Sequence, residues 1–491
     1  MADAAGRRGG RTRAAGAPRV RDGGGVGENG TDEGVFARLR ATDFAYLDET
    51  RQIYLDHTGA APAPRGLVRA QAARLSGRAF GNPHTESPAS TASTELIEEA
   101  RLRVLRFLDA DPAEYTVVFT ANTSQAVKLV AEAYPFHRRS ASLLLTQDNH
   151  NSVNGVREFA RAAHAKVGLV PFTGDELRVS GAAVRRALDG RRRGLFCYPA
   201  QSNFTGVRHP LEWIARARAA GWHTLLDAAA YLPTGKLSLR RTPADFVVAS
   251  WYKVFGYPSG VGSLVARREA LAGLRRPWFA GGTIQVVSAR ARWHRMAQAP
   301  AAFEDGTPDF HAVPQVTTGL DWYDEVGAEA VGAHVNRLTG RLLRGLAELR
   351  HPGGRPLVRV YGPRGTAGRG GTVALNVLDT RGKVVDERIV ARECAAAGIS
   401  VRTGCFCNPG AGEEAFTIAP RLLRRTGTER WRAETIDGYI RRLGLPSGGA
   451  VRVSPGIANI TEDIDGFLDF LYATFAAATP VRGDLAPRLT C

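Results

Sequence analysis

The chain has 491 residues, 65 Lys and Arg against 48 Asp and Glu, and a formal charge of +17 at pH 7. That length gives one large or two medium domains with an ample core. It holds no run of eighteen apolar residues to span a membrane, and its arginine-bearing N-terminus lacks the apolar stretch of a secretory signal. The arginines are scattered, clustering only briefly as in Arg191-Arg192-Arg193, and no basic helix is interleaved with aromatics. The charge therefore suits anionic small molecules or an acidic protein partner, and neither nucleic acid nor membrane is expected as a partner. Five cysteines in a long chain make no disulfide framework, so a reducing cytoplasm is the expected location.

Residues 1–34 are Gly, Ala and Arg with almost no large apolar side chain, and are expected to be a disordered tail. Structure is expected from Val35-Phe36. Tyr54 to Pro62 reads as a short strand breaking into a Gly/Pro turn. From Thr91 to Leu108 the apolar positions recur at helical spacing. Tyr115–Thr120 is a strand running through Ala121-Asn122-Thr123-Ser124 into a helix, a junction whose free N–H groups and helix dipole suit an anion such as phosphate. Thr123 and Ser124 serve equally as plain N-caps on this pattern. Leu143–Gln147 is a strand ending near His150, and Leu195–Pro199 is another, followed by Gln201-Ser202-Asn203. Cys197 lies inside that apolar strand and reads as core.

A helix over Leu211–Ala220 returns to the strand Trp222–Asp227, and Ala244–Ser250 is the next. Strands alternating with helices at this spacing predict an α/β fold with a mostly parallel sheet. A large domain over 35–333 is expected, with a smaller α+β domain over 334–480 and a loose tail over 481–491. The small domain opens on a long helix over 334–350. After it come a Gly/Arg-rich loop over 362–371, a strand at Thr372–Val377, a helix over Asp386–Ala397 and a strand at Ile399–Arg402.

Ligand-facing residues of such sheets sit at the carboxyl ends of the strands, so Asp227, Ser250 and Lys253 converge on one crevice. An acid, a hydroxyl and an amine are what a pyridoxal phosphate site requires: a lysine for the Schiff base, an acid against the ring nitrogen, donors for the phosphate. The alternative is a strand-ending acid and a solvated lysine. Only five basic residues are lysine (Lys128, Lys166, Lys236, Lys253, Lys383). A lysine retained where arginine is the rule points to a removable proton. The second chemical signal is Arg402-Thr403-Gly404-Cys405-Phe406-Cys407-Asn408-Pro409-Gly410. Two cysteines one residue apart do not fit a zinc knuckle, and no metal is expected. A thiol in a Gly/Pro loop beside an arginine suits a nucleophile, with an incidental cysteine as the alternative. Arg452, on the strand Ala450–Val453, fits a substrate carboxylate or a plain surface position.

Together these residues resemble the class V aminotransferase family of pyridoxal-phosphate enzymes. Within it the likeness is to the cysteine desulfurases, above all the desulfurase portion of molybdenum cofactor sulfurases. Phe80-Gly-Asn-Pro-His84, Tyr115–Ala121, Lys128–Ala133, Ser250–Pro258 and Arg402–Gly410 carry the likeness, in order, between about residues 50 and 475. The resemblance implies a fold-type-I homodimer and an L-cysteine desulfurase. Lys253 would hold pyridoxal 5'-phosphate as an internal aldimine, Asp227 would face the ring nitrogen, and His150 would stack on the ring. Thr123, Ser124 and Ser250 would bind phosphate, with Thr283 contributed by the partner subunit. Asn203, which would also contact the cofactor, and Arg452 would hold the substrate carboxylate, with Arg402 as a further substrate-binding residue. Cys407 would take the substrate's sulfur as a persulfide, leaving alanine, and pass it to an unidentified acceptor.

The sequence departs from that pattern with Ala230 in place of a common glutamine, Tyr252 in place of a histidine, and Gly412 in place of a further cysteine. The sulfurases continue into a second domain that binds the molybdenum cofactor. This sequence ends soon after Phe475, so the expectation is a chain without that domain and an acceptor supplied from elsewhere. Rival readings are a C–S lyase or aminotransferase of the same family, a selenocysteine lyase, neither using Cys407, and a non-catalytic scaffold.

Overall fold

The computed structural model describes residues 30–480 and 485–488, apart from His84, Arg139, Ser140 and Arg432. Most of the proposed N-terminal tail, the end of the C-terminal one and the last residue of the Phe80–His84 motif lie outside the described residues. Order starts earlier than the sequence suggests, with a helix over Gly30–Thr42.

Seven strands form the main sheet: β1 (Tyr115–Thr120), β2 (Ala141–Thr146), β3 (Lys166–Val170), β4 (Arg193–Pro199), β5 (His223–Asp227), β6 (Phe246–Ser250) and β7 (Gly262–Arg267). Their order is β1-β7-β6-β5-β4-β2-β3. The pairings β3–β2–β4–β5–β6 are parallel, and only β7 runs against its neighbours. Both faces are covered, because alternate side chains point to opposite sides of a strand. Val117 and Phe119 of β1, Leu226 of β5 and Val247 of β6 join one apolar layer. Val118, Leu225, Phe246 and Val248 join the other. The continuous Val/Leu/Phe runs read from the sequence follow from this burial.

The long helix spans Ala328–Glu348, starting six residues before the expected position, because the break falls at Gly327, whose φ is +90°. Beyond it a four-stranded sheet, β8 (Val358–Tyr361), β9 (Val373–Val377), β10 (Arg402–Gly404) and β11 (Ala450–Val453), has the order β8-β9-β11-β10. The helices Glu387–Ala396 and Thr461–Phe475 supply side chains to the third apolar cluster beside it. The strand expected over Ile399–Arg402 is two pieces. Ile399–Ser400 pairs in parallel with Ile53–Tyr54, while β10 joins the small sheet. Near the C-terminus, Arg488 is tied to Asp386, Glu387 and Asp437, so the tail's described part is anchored.

Candidate active site

The ends of β1, β2, β4, β5 and β6 open on one cavity of about 330 Å³, the position at which open α/β sheets bind ligands. Its lining includes Thr123, Ser124, His150, Asn203, Asp227, Ser250 and Lys253. Seven sequence-singled side chains thus meet in one cleft.

At one end Thr123 and Ser250 form a cradle. The Thr123 N–H donates to Ser250 Oγ over 2.9 Å, and the two hydroxyls are 2.7 Å apart. Asn122, not Thr123 or Ser124, caps the helix Thr123–Ala133, its Oδ1 accepting from the Gln125 N–H at 3.0 Å. The two hydroxyl residues are therefore released from capping. β7 presses close to this turn: a Cβ on Gly262 would stand 2.6 Å from the Asn122 backbone, so only glycine fits.

Asp227 ends β5 and is buried. One carboxylate oxygen accepts from the Ala229 N–H at 3.0 Å. Lys253 follows β6 within the short helix Tyr252–Phe255. Burial lowers its amine pKa, Asp227 opposes that shift, and Arg452 and Arg402 add to the lowering. His150 starts the helical turn Asn151–Asn154, and its Nδ1 accepts from the Ser152 N–H at 3.1 Å. That leaves the proton on Nε2 and the ring neutral, and burial lowers its pKa further.

Cys407 does not line the cavity but is partly exposed in the loop before the helix Pro409–Ala415. The loop is pinned to the cleft at three points. The Asn151 N–H donates to the Cys407 carbonyl at 2.7 Å, Asn203 Nδ2 to the Phe406 carbonyl at 2.8 Å, and Asn408 Nδ2 to Asn203 Oδ1 at 2.9 Å. Phe406 and Cys407 are both left-handed, with φ of 54° and 52°. Two such consecutive non-glycine residues cost on the order of 1–3 kcal/mol each, a conformation the surrounding contacts must hold. Cys407 is a free thiol, whereas Cys405 is disulfide-bonded, a pairing that the sequence did not single out.

Arg452 is buried, and its Nη2 donates to Asp56 Oδ1 at 2.8 Å. Arg402, half exposed, binds the other oxygen of Asp56 at 2.7 Å. Asp56 was legible only as part of a turn; its pairing with residues 346 and 396 positions away carries no local signal. Thr283 stands apart from the cleft, its hydroxyl closing a turn onto Ala280 at 2.8 Å. Gln201, Tyr252 and Ser152 also line the cavity, although the sequence assigned them no role. Their position just after strand ends, or two residues from His150, is the signal that was available.

The class-V aminotransferase family profile matches residues 53–467. The chain belongs to the class-V aminotransferase family. The molybdenum cofactor sulfurase of Bos taurus is 34% identical to it over 470 residues, covering 91% of this chain and 52% of the relative. The chain thus spans about half the length of the curated relatives it matches. Among solved structures, the cysteine desulfurase from Thermococcus onnurineus NA1 has a TM-score of 0.72 and 25% identity, covering 89% of this chain and 97% of the other. The C-DES variant with glycine covalently linked to its pyridoxal phosphate has a TM-score of 0.64 at 17% identity, covering 88% and 98%, and shows the fold alone.

As a member of the class-V aminotransferases the chain has the fold of type I pyridoxal-phosphate enzymes and their cofactor, pyridoxal 5'-phosphate. The cleft suits that group: a buried amine of lowered pKa, an acid, a neutral imidazole and a hydroxyl cradle at a helix N-terminus line one cavity of about 330 Å³. Among the described residues no helix is long and apolar enough to cross a membrane, and no His/Cys/Asp/Glu cluster has the geometry to hold a metal.

Proposed function

We propose that the chain is an L-cysteine desulfurase that carries sulfur as a persulfide on Cys407 and releases alanine. The carrying observation is the anchoring of a free, partly exposed thiol to both flanks of the lysine cleft, through Asn151 beside His150 and through Asn203. Lys253 would hold the cofactor, Asp227 face its ring nitrogen, His150 cover the ring, and Thr123, Ser124 and Ser250 take the phosphate. When bound, pyridoxal phosphate supplies an electron sink for the pair left as the substrate's Cα–H bond breaks. The Lys253 amine, its pKa lowered by burial, would accept that proton once released from the cofactor. Arg452 and Asn203 orient the substrate carboxylate, with Arg402 at the rim. Cys407, as thiolate, attacks the substrate sulfur. The Cβ–S bond breaks with its electron pair returning to carbon, which is protonated to give alanine.

Catalysis in a homodimer fits a set of exposed apolar side chains just around Thr283: Trp278, Phe279, Val286, Val287 and Trp293. In that assembly Thr283, buried behind its own turn onto Ala280, would reach the partner's phosphate only by opening that turn. The sulfur acceptor is a separate molecule or a further segment; the basic balance of the chain favours an acidic one. A cytoplasmic location belongs to the same reading.

The experiment is a comparison of purified wild type with Lys253→Ala and Cys407→Ser. Wild type reconstituted with pyridoxal phosphate is expected to absorb at roughly 410–430 nm, and Lys253→Ala to lose that band. Cys407→Ser should keep the band and lose persulfide formation from cysteine. Undiminished turnover in Cys407→Ser would establish the lyase reading instead.

A further inference from the structure

The cleft contains one buried amide to which the reading above gives no task. Gln201 is 3% exposed and sits two residues beyond the end of β4, lining the cavity beside Asp227, Ala230 and Lys253. Its orientation is fixed. Arg208 Nε lies 3.1 Å from Gln201 Oε1, and a guanidinium only donates, so the amide oxygen faces Arg208 and the NH2 group faces away from it. Arg208 is itself held by the carbonyl and hydroxyl of Thr234, at 2.8 and 2.9 Å, and its guanidinium stands 5.1 Å over the Tyr231 ring. The Gly/Arg-rich loop closes the arrangement from the other side: a Cβ on Gly370 would fall 2.0 Å from Gln201 Oε1, so a larger residue there would push the amide from its place. Among the described residues no acceptor is bonded to Gln201 Nε2.

A planar ring in this cleft has little rotational freedom. With its nitrogen against Asp227, its aldehyde-bearing carbon at Lys253 and its phosphate arm in the Thr123–Ser250 cradle, one ring edge remains, and that edge carries the oxygen next to the lysine-linked carbon. Ser152 is bonded to Ser124 and His150, and Tyr252 to Ser250 on the phosphate side, so the lining beside that edge is Gln201, Asn203 and the two alanines Ala229 and Ala230. The alanine side chains have no donor. Asn203 already donates to Phe406 and accepts from Asn408.

Resting on the proposed cofactor reading, we infer that Gln201 donates its amide N–H to the ring oxygen of pyridoxal phosphate, with Arg208 as the positioning residue that locks the amide. A donor on that oxygen competes with the neighbouring lysine-derived nitrogen, whose proton otherwise shares the oxygen's lone pairs. Removing the donor makes that proton harder to lose.

The test reads absorbance rather than turnover. Wild type, Gln201→Leu, Arg208→Leu and Arg208→Lys are each loaded with pyridoxal phosphate, and the pH midpoint of the visible absorbance change is measured without substrate. Gln201→Leu should move the midpoint upward by about one pH unit, the size one charge-assisted hydrogen bond gives. Arg208→Leu should move it the same way by less, and Arg208→Lys should restore part of the shift. The double variant should not exceed Gln201→Leu alone, since the two act as one unit. A Gln201→Leu protein that binds the cofactor with an unmoved midpoint overturns the inference and leaves the desulfurase reading standing. A wild type that gains no visible band overturns both. If Gln201→Leu does not fold, the Arg208 pair decides: equal midpoints in wild type and Arg208→Leu overturn the role.

Discussion

Asp227 carries a separable prediction. Its Oδ1 holds the Ala229 N–H, a bond an asparagine oxygen can keep, while the negative charge facing the ring nitrogen would go. Asp227→Asn is therefore expected to fold and to load cofactor, yet to lose about 100- to 1,000-fold in alanine production, the range found when one preorganised electrostatic contact is removed. Steady-state assay of the reconstituted variant checks it. Residue identity made this acid and Lys253 stand out in the sequence, because few lysines compete for attention and both follow apolar strands. Asp56 and Gln201 stayed silent for a physical reason. Their roles come from partners that the fold brings to them, Arg402 and Arg452 in one case and Arg208 with Gly370 in the other.

At the scale of elements, the Cys407 loop is the part held against its own preference. Asn408 caps the helix Pro409–Ala415 through Oδ1, and its Nδ2 binds both the Asp148 carbonyl at 2.8 Å and Asn203 Oδ1. Replacing it by alanine removes the cap and two clamps at once, which frees Phe406 and Cys407 to leave the left-handed region. Asn408→Ala should retain the visible band while sulfur transfer falls by about 10- to 100-fold, since small misplacement of a reacting group is enough. Single-turnover persulfide trapping distinguishes this from lost cofactor. The strand Tyr115–Thr120 was legible to the residue, because six consecutive buried positions follow a turn and precede a capped helix. The split at Val401 was not. Two strand fragments one residue apart join different sheets, and apolar periodicity says nothing about which neighbour a strand will pair with.

For the whole molecule, two buried histidines make acid the weak side. His334 donates Nε2–H to the Asn459 carbonyl at 2.8 Å and accepts at Nδ1 from Arg337 at 3.0 Å, so a second ring proton has no acceptor there. Burial lowers its pKa to about 4, and that of His57 to about 4 as well. A folded pKa below the unfolded value of about 6.5 means the unfolded chain binds the proton first. Stability is accordingly unaffected above about pH 6.5 and falls as the pH drops toward about 4, by on the order of 3 kcal/mol per histidine. His334→Gln should flatten that acid limb in denaturant titrations between pH 7 and 4.5. The exposed apolar side chains around residues 278–293 yield a second global expectation. Trp293→Glu together with Val287→Glu should shift sedimentation from dimer to monomer mass, and an unchanged monomeric mass in wild type would remove the assembly from the proposal.

The pairing of Asp56 with Arg452 changes what an N-terminal cut would mean. Trimming sixty residues from most α/β enzymes is a matter of lost packing. In this chain it strips a neutralising carboxylate from a guanidinium sealed at the heart of the molecule, 3% exposed, with the Phe406 ring and the Asn203 carbonyl among its other contacts. An orphaned charge of that kind costs about 3–5 kcal/mol. Proteolysis near the start of the fold would thus act as an electrical lesion 396 positions away in sequence, and an incoming substrate carboxylate would be the natural splint.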